Sequence, residues 1–281
     1  MPEKRLYTLA EALSRFVTST TTQDAQHIKP LHWYVACALV VEGGFSPESI
    51  TPRPPFRISL ERRGRDVRHV LFCDDAAALD GERTLLGGLK TKAVDVVVST
   101  SHVGPCLAVS LKGSLNAFRN LTNRMEEAVG DCTNLHISYP ALVYGFLHVL
   151  RGTHESEARS PNDVAIRLDG SPALDIVRYH DTLSRLCGRL DVRNEITRYE
   201  SVAIAIAEST PELHGTVRND YPGPDSGLRL DHFFATLYRV YDLRFVYSAP
   251  RLKRVTKRLE WSPDSPALQM PELAGFTPRI R

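Results

Sequence analysis

Two residues stand where strand periodicity would bring an acid and a base together. Asp95 is the one charge in the apolar run 94–98 (VDVVV), whose branched side chains suit a strand buried on both faces. Burying a carboxylate is costly unless a cation, a salt bridge or a metal ion answers it. Gly104-Pro105 then marks a turn. In the following stretch Leu107, Val109 and Leu111 point one way, and Ala108, Ser110 and Lys112 the other. The expectation is that Asp95 on one strand and Lys112 on the next meet over one sheet face. A carboxylate that holds a hard divalent ion, beside a lysine that orients or deprotonates a water, suits the hydrolysis of a phosphodiester. The carbonyl of Leu111 could add a further metal ligand. An ordinary salt-bridged aspartate and a solvated lysine at a strand end are the competing readings.

These residues resemble the PD-(D/E)xK nuclease superfamily, which has the restriction-endonuclease-like fold. The likeness covers about 31–150, in the family's order of helix, strands, helix and strand. Asp95 matches the family's first metal-binding acid and Lys112 its lysine, while Ser110 stands where a second acid is usual. Resemblance to a Ser-x-Lys branch of type II restriction enzymes implies that the missing carboxylate lies on the next helix, fourteen residues after the lysine. That position is Glu126, and the adjacent Glu127 leaves the register open. A helical Glu before the sheet is also implied, and Glu42 fits it. The helix dipole opposes a carboxylate in a last turn, so a nearby cation would explain Glu42, although an exposed terminal Glu needs none. Ser110 is read as a neutral filler or phosphate contact rather than a nucleophile, since no His is spaced to serve as its base.

The resemblance implies Mg²⁺ as cofactor, with Mn²⁺ as a substitute, held by Asp95 with help from Glu126 or Glu42 and the Leu111 carbonyl. It implies endonucleolytic cleavage of DNA in restriction or antiviral defence, with a homodimer and partner subunits of a defence system as further implications. The alternative is a restriction-endonuclease-like subunit without catalytic activity that binds nucleic acid or scaffolds a complex, a reading motivated by Ser110.

The elements that must position these residues follow from periodicity. Helices are expected over 6–17 and 27–42, the second apolar nearly all round and closed by Gly43-Gly44. After a Pro-rich loop, strands are expected at 56–62 and 67–75, joined by a charged hairpin. Ser114 is a candidate helix cap, with Phe118, Leu121, Met125 and Val129 at helical spacing behind it. A buried strand is expected at 141–150, a helix from Ser171-Pro172 to about 190, a strand at 200–208 and an aromatic-rich helix at 228–247. The fold class expected is α/β: a restriction-endonuclease-like three-layer core with a central mixed sheet flanked by helices, plus a C-terminal helical and strand extension. The whole of 1–281 reads as one domain, with a core at about 27–150 and an extension at about 164–281 that completes the sheet and carries a basic tail.

Composition narrows the remaining classes. The 281 residues carry a formal net charge of only +2, so attraction to a polyanion must come from local patches. Candidates to contact DNA are Lys90 and Lys92 in the Gly-rich segment before Asp95, and Arg251, Lys253 and Arg254 in the tail. The bland reading of both is a solvated charged surface. The five cysteines are never in CxxC spacing, and the histidines form no HxH, HExxH or HxxxH pattern, so no His-metal centre is expected. No run is long and apolar enough to span a membrane and no apolar leader opens the chain, so a cytoplasmic protein with no membrane partner is expected.

Overall fold

A computed structural model describes residues 4–20, 25–64, 66–116 and 118–281. The Thr-rich break read after the first helix lies partly outside them. Helix α1 (Leu9–Thr18) opens on a capping box: the Thr8 hydroxyl accepts from the Glu11 N–H, and the Glu11 carboxylate accepts from the Thr8 N–H. Helix α2 (Lys29–Val41) carries Pro30 in its first turn and is buried along nearly its whole length, as its all-round apolar surface requires.

The strands follow as β1 (Ile50–Thr51), β2 (Phe56–Arg63), β3 (Asp66–Cys73), β4 (Arg83–Leu86), β5 (Thr91–Val94), β6 (Val96–Thr100) and β7 (Gly104–Ser114). Then come α3 (Leu121–Ser138), β8 (Val143–Gly152), α4 (Leu174–Arg185), β9 (Ser201–Glu208), α5 (Leu230–Tyr241) and the short α6 (Lys253–Thr256). A π-helical turn, Asp242–Tyr247, continues α5.

A five-stranded mixed sheet, in the order β1-β6-β7-β8-β9, forms the centre. β6 runs antiparallel to β1 and β7, whereas β7, β8 and β9 are parallel. Helices cover both faces. Val96, Val109, Leu147 and Ala205 pack with α1, α2 and α5 on one side, and Val97, Ala108, Phe146 and Ile204 pack with α3 and α4 on the other. The alternation along 107–112 is as the sequence pattern predicts. β9, from the C-terminal extension, is the fifth strand of the sheet.

Three local expectations are corrected. Asp95 is not inside a strand: it occupies a bend between β5 and β6. The Gly-rich segment before it, to which the sequence pattern assigns no strand, belongs to the hairpin β4–β5, and β2–β3 forms its own two-stranded ribbon outside the main sheet. Ser114 caps no helix; it remains in β7, and α3 starts at Leu121 behind a short 3₁₀ turn.

The entry ends of β8 and β9 are locked by a buried ion network. One Glu200 oxygen accepts from the Arg189 and Arg244 guanidinium groups at 2.9 and 2.6 Å, and the other accepts from the Tyr144 N–H at 2.6 Å. Arg189 spends its other donors on the carbonyls of Pro140, Val192 and Glu195. Both side chains of the Arg189–Glu200 pair are fully buried. Removing one partner of a buried pair is a loss of about 3–5 kcal/mol; here Arg244 would remain on Glu200, but the carbonyls of Pro140, Val192 and Glu195 would lose their donor. Arg189→Met is therefore expected to lower the unfolding free energy by about that amount in urea titration.

Candidate functional site

The geometry around Asp95 begins with a main-chain group. β6 pairs with β7 only as far as Val96 opposite Val109, so the Leu111 N–H has no strand partner on that side. Asp95 fills the gap: its Oδ2 accepts from Leu111 N at 2.7 Å. The carbonyl of Leu111 points to the same edge as its N–H, as in any extended strand. With Oδ2 engaged, Oδ1 faces Nε2 of His32, in the first half of α2, at 3.7 Å.

The hairpin supplies a third group. Arg83 pairs with Val94 at the open end of β4–β5, so Glu82 and Asp95 are the next residues on the two legs and emerge side by side. Ligand atoms of His32, Glu82 and Asp95 all lie within 4.8 Å of one another. His32 is buried, Asp95 half-buried and Glu82 exposed, so the cluster opens to solvent on the Glu82 side. Beside it is a cavity of about 250 Å³, walled by Lys29, His32, Trp33, Pro52, Asp80 and Glu82. Lys29 is ion-paired with Asp80 there.

Lys112 does not make its ion pair with Asp95. Its Nζ lies 3.1 Å from Oε1 of Glu127 on α3, and Arg124 reaches the other Glu127 oxygen at 3.0 Å. Burial draws the Glu127 pKa upward, but Lys112 and Arg124 more than offset this and hold the carboxyl below its ordinary range. Asp95 thus turns to the α2 layer from its bend, whereas the alternation of β7 sends Lys112 to the α3 layer. Glu127 is the α3 carboxylate within reach of Lys112, and Glu126 is exposed one helical step away.

Ser110 is buried, its Oγ 2.9 Å from the Tyr144 hydroxyl, so it contacts no phosphate from solvent in this arrangement. Beyond Lys112, Ser114 Oγ meets His148 Nε2 at 2.9 Å, and His148 Nδ1 meets the Tyr179 hydroxyl at 2.6 Å. Burial, then the charges of Arg124 and Lys112, push the His148 pKa down to about 3, so the ring is neutral at physiological pH.

Glu42 is not part of the cluster. It lies ten residues past His32 along α2, about 15 Å at 1.5 Å per residue. It accepts from the Thr277 N–H at 2.9 Å and lines a separate cavity of about 640 Å³ with Tyr34, Phe234 and Tyr238. Lys92 is committed to an ion pair with buried Asp131 on α3, so it is structural rather than DNA-facing. Lys90 is exposed near the hairpin tip. Arg251, Lys253 and Arg254 are exposed as well, but Arg254 shares a surface cavity with Ser99, Thr100 and Ser101 at the far end of β6. That end is about 16 Å from Asp95 at ~3.3 Å per strand residue.

Two members of the cluster are not legible in sequence. His32 belongs to no ligand-spacing motif. Glu82 gains its place only from the pairing of β4 with β5, and a run of hairpin-compatible residues around Gly87-Gly88 is the one available signal.

Burial raises the pKa of Glu42, and the Thr277 N–H offsets this only in part. A carboxyl with a raised folded-state pKa adds stability at low pH and loses it as pH climbs through that pKa. Glu42→Gln is therefore expected to raise the melting temperature above the ordinary carboxylate range and to leave it unchanged below, as scanning calorimetry from pH 4 to 8 would read. No protein-family model matches the chain, and no curated protein matches it in sequence.

Proposed function

We propose that this chain is a divalent-metal-dependent phosphodiester hydrolase acting on DNA, with a restriction-endonuclease-like core and its centre at Asp95. One observation carries the reading: the Asp95 carboxylate is fixed by the Leu111 N–H, one residue before Lys112, with its second oxygen free and other donors converging on it. The order β6, antiparallel β7, α3, parallel β8 around these residues supports it. Restriction or defence against foreign DNA is the setting the sequence resemblance implies.

The chain's own residues divide the work. Asp95 is held by a main-chain group that no rotamer change can remove, which preorganises its free oxygen. When bound there, a divalent ion would neutralise phosphate charge and make its water a better nucleophile. Lys112 follows Leu111 directly but lies on the α3 side of the sheet, where Glu127 holds its ammonium in place, so it would have to leave that pair to act on a water at Asp95. The acid on the following helix is then Glu127 rather than Glu126. Leu111's carbonyl adds an oxygen on the same edge. Lys90, at the hairpin tip about 16 Å from Asp95 at ~3.3 Å per strand residue, and Arg251, Lys253 and Arg254 would track phosphates away from the centre along a duplex.

The residues fit an all-oxygen Mg²⁺ site only in part, because a histidine nitrogen faces the same point as the two carboxylates. The alternative, a DNA-binding subunit without chemistry, is favoured by one fact: Lys112 is paired with Glu127 rather than with Asp95.

Asp95→Asn and Lys112→Ala, each shown folded by circular dichroism, are expected to lose about 10²-fold or more of plasmid cleavage in Mg²⁺ or Mn²⁺. Undiminished cleavage by either variant removes that residue from the site. Replacing Arg251, Lys253 and Arg254 by Ala should reduce the slope of log affinity against log salt by up to about 3, since each neutralised phosphate contributes about 0.9 to it. Salt-dependent binding by the wild-type protein without cleavage in either ion selects the alternative.

A further inference from the structure

His32 is one of several residues with a buried, unpartnered polar atom, and the one whose orphaned nitrogen faces a carboxylate cluster open to solvent. It is only 6 % exposed, yet its Nε2 is buried with no hydrogen-bond partner among the described residues. Leaving such a group unpaired carries the full desolvation penalty with no hydrogen bond in return. Asp95 Oδ1, which Nε2 faces at 3.7 Å, is beyond hydrogen-bond reach. A first-row divalent ion sits about 2.0–2.2 Å from imidazole nitrogen and carboxylate oxygen, so two donors on one ion stand ~3–4 Å apart. The spacing too long for a hydrogen bond is the spacing of two ligands of one ion.

The other two donors are placed by the β4–β5 ladder and its link to β7. Asp95 is pinned through its second oxygen by Leu111 N, and Glu82 by its register on the opposite hairpin leg. Lys29, the nearby cation, is engaged by Asp80, and among the described residues Asp95 has His32 as its ion-pair partner rather than a lysine or arginine. We propose that His32, Glu82 and Asp95 form a mixed nitrogen–oxygen site for a first-row transition ion of the Mn²⁺ or Zn²⁺ kind, in preference to Mg²⁺. The imidazole makes the choice: Mg²⁺ takes oxygen ligands and gives up its waters reluctantly, whereas imidazole suits Zn²⁺, and Mn²⁺, at home with the two carboxylates, tolerates one nitrogen among its ligands. Three protein ligands and an exposed Glu82 leave positions on the ion open to water or an anionic oxygen. The site shares Asp95 with the hydrolase reading but does not depend on it.

Calorimetric titration of the full chain with MnCl₂, ZnCl₂ and MgCl₂ tests the site directly. Mn²⁺ or Zn²⁺ is expected to bind at least about tenfold more tightly than Mg²⁺. Glu82→Gln and His32→Asn are each expected to weaken that binding about tenfold or more, the order of loss seen even for outer-shell metal contacts. In the Mn²⁺ complex, pulsed electron paramagnetic resonance should show imidazole nitrogen coupling that His32→Asn abolishes. Glu82 is exposed, so its variant keeps the test decisive if His32→Asn fails to fold. Binding of Mg²⁺ as tight as of Mn²⁺ and Zn²⁺, no nitrogen coupling in the wild-type complex, or undiminished binding by Glu82→Gln overturns the proposal. Metal binding as described without DNA cleavage upholds this site and removes the hydrolase reading. Mg²⁺-driven cleavage unaffected by either variant does the reverse.

Discussion

A main-chain N–H left over at the end of a strand ladder must find an acceptor, and here the acceptor is a carboxylate. Where β6 stops pairing with β7, Asp95 takes the Leu111 N–H. That hydrogen bond ties the β4–β5 hairpin to the central sheet and fixes one oxygen of the acid. It leaves the other oxygen facing outward from a half-buried setting. The proposed chemistry depends on this division of labour between the two oxygens: one is structural, and the other is available because the first is occupied.

The two edges of the sheet have different characters. At the edge where β8 and β9 begin, Glu200, Arg189 and Arg244 form a buried ionic knot in which the Arg189 donors are met by carboxylate or carbonyl oxygens. Asp95 lies on the β6 side of the sheet, level with Leu111 of β7, and its cluster opens to solvent through Glu82. The basic tail residues are elsewhere: Arg254 lies beyond the other end of β6.

Strand periodicity is a local property, and local properties are legible in residue order. The opposite facing of Leu111 and Lys112 and the alternation of β7 follow from it, as the burial of α2 follows from its all-round apolar surface, and all hold in the fold. What periodicity does not supply is which neighbour each outward residue meets. It puts Lys112 beside Asp95, but a bend at 95 turns the acid toward α2 while α3 brings Glu127 over the lysine. Lys92 reads as a solvated or DNA-facing cation, yet Asp131, about forty residues away, claims it. The hairpin is hidden in the sequence because its tip is stabilised from outside: the Asn134 side-chain amide accepts from the N–H groups of Leu89 and Lys90 and donates to the Lys90 carbonyl. Gly88 has no room for a side chain, since a Cβ there would lie 2.1 Å from Ile137.

The hairpin also governs how this region tolerates change in length. Glu82 and Asp95 are carried on facing legs of one ladder, so their separation is measured in paired rungs rather than in loop residues. One residue added within either leg would slip the pairing and rotate one carboxyl to the reverse side of the ribbon. Additions beyond the tip are opposed instead by α3, which grips residues 88–90. The thirteen-residue interval between the two acids therefore behaves as a rigid caliper within an otherwise irregular surface.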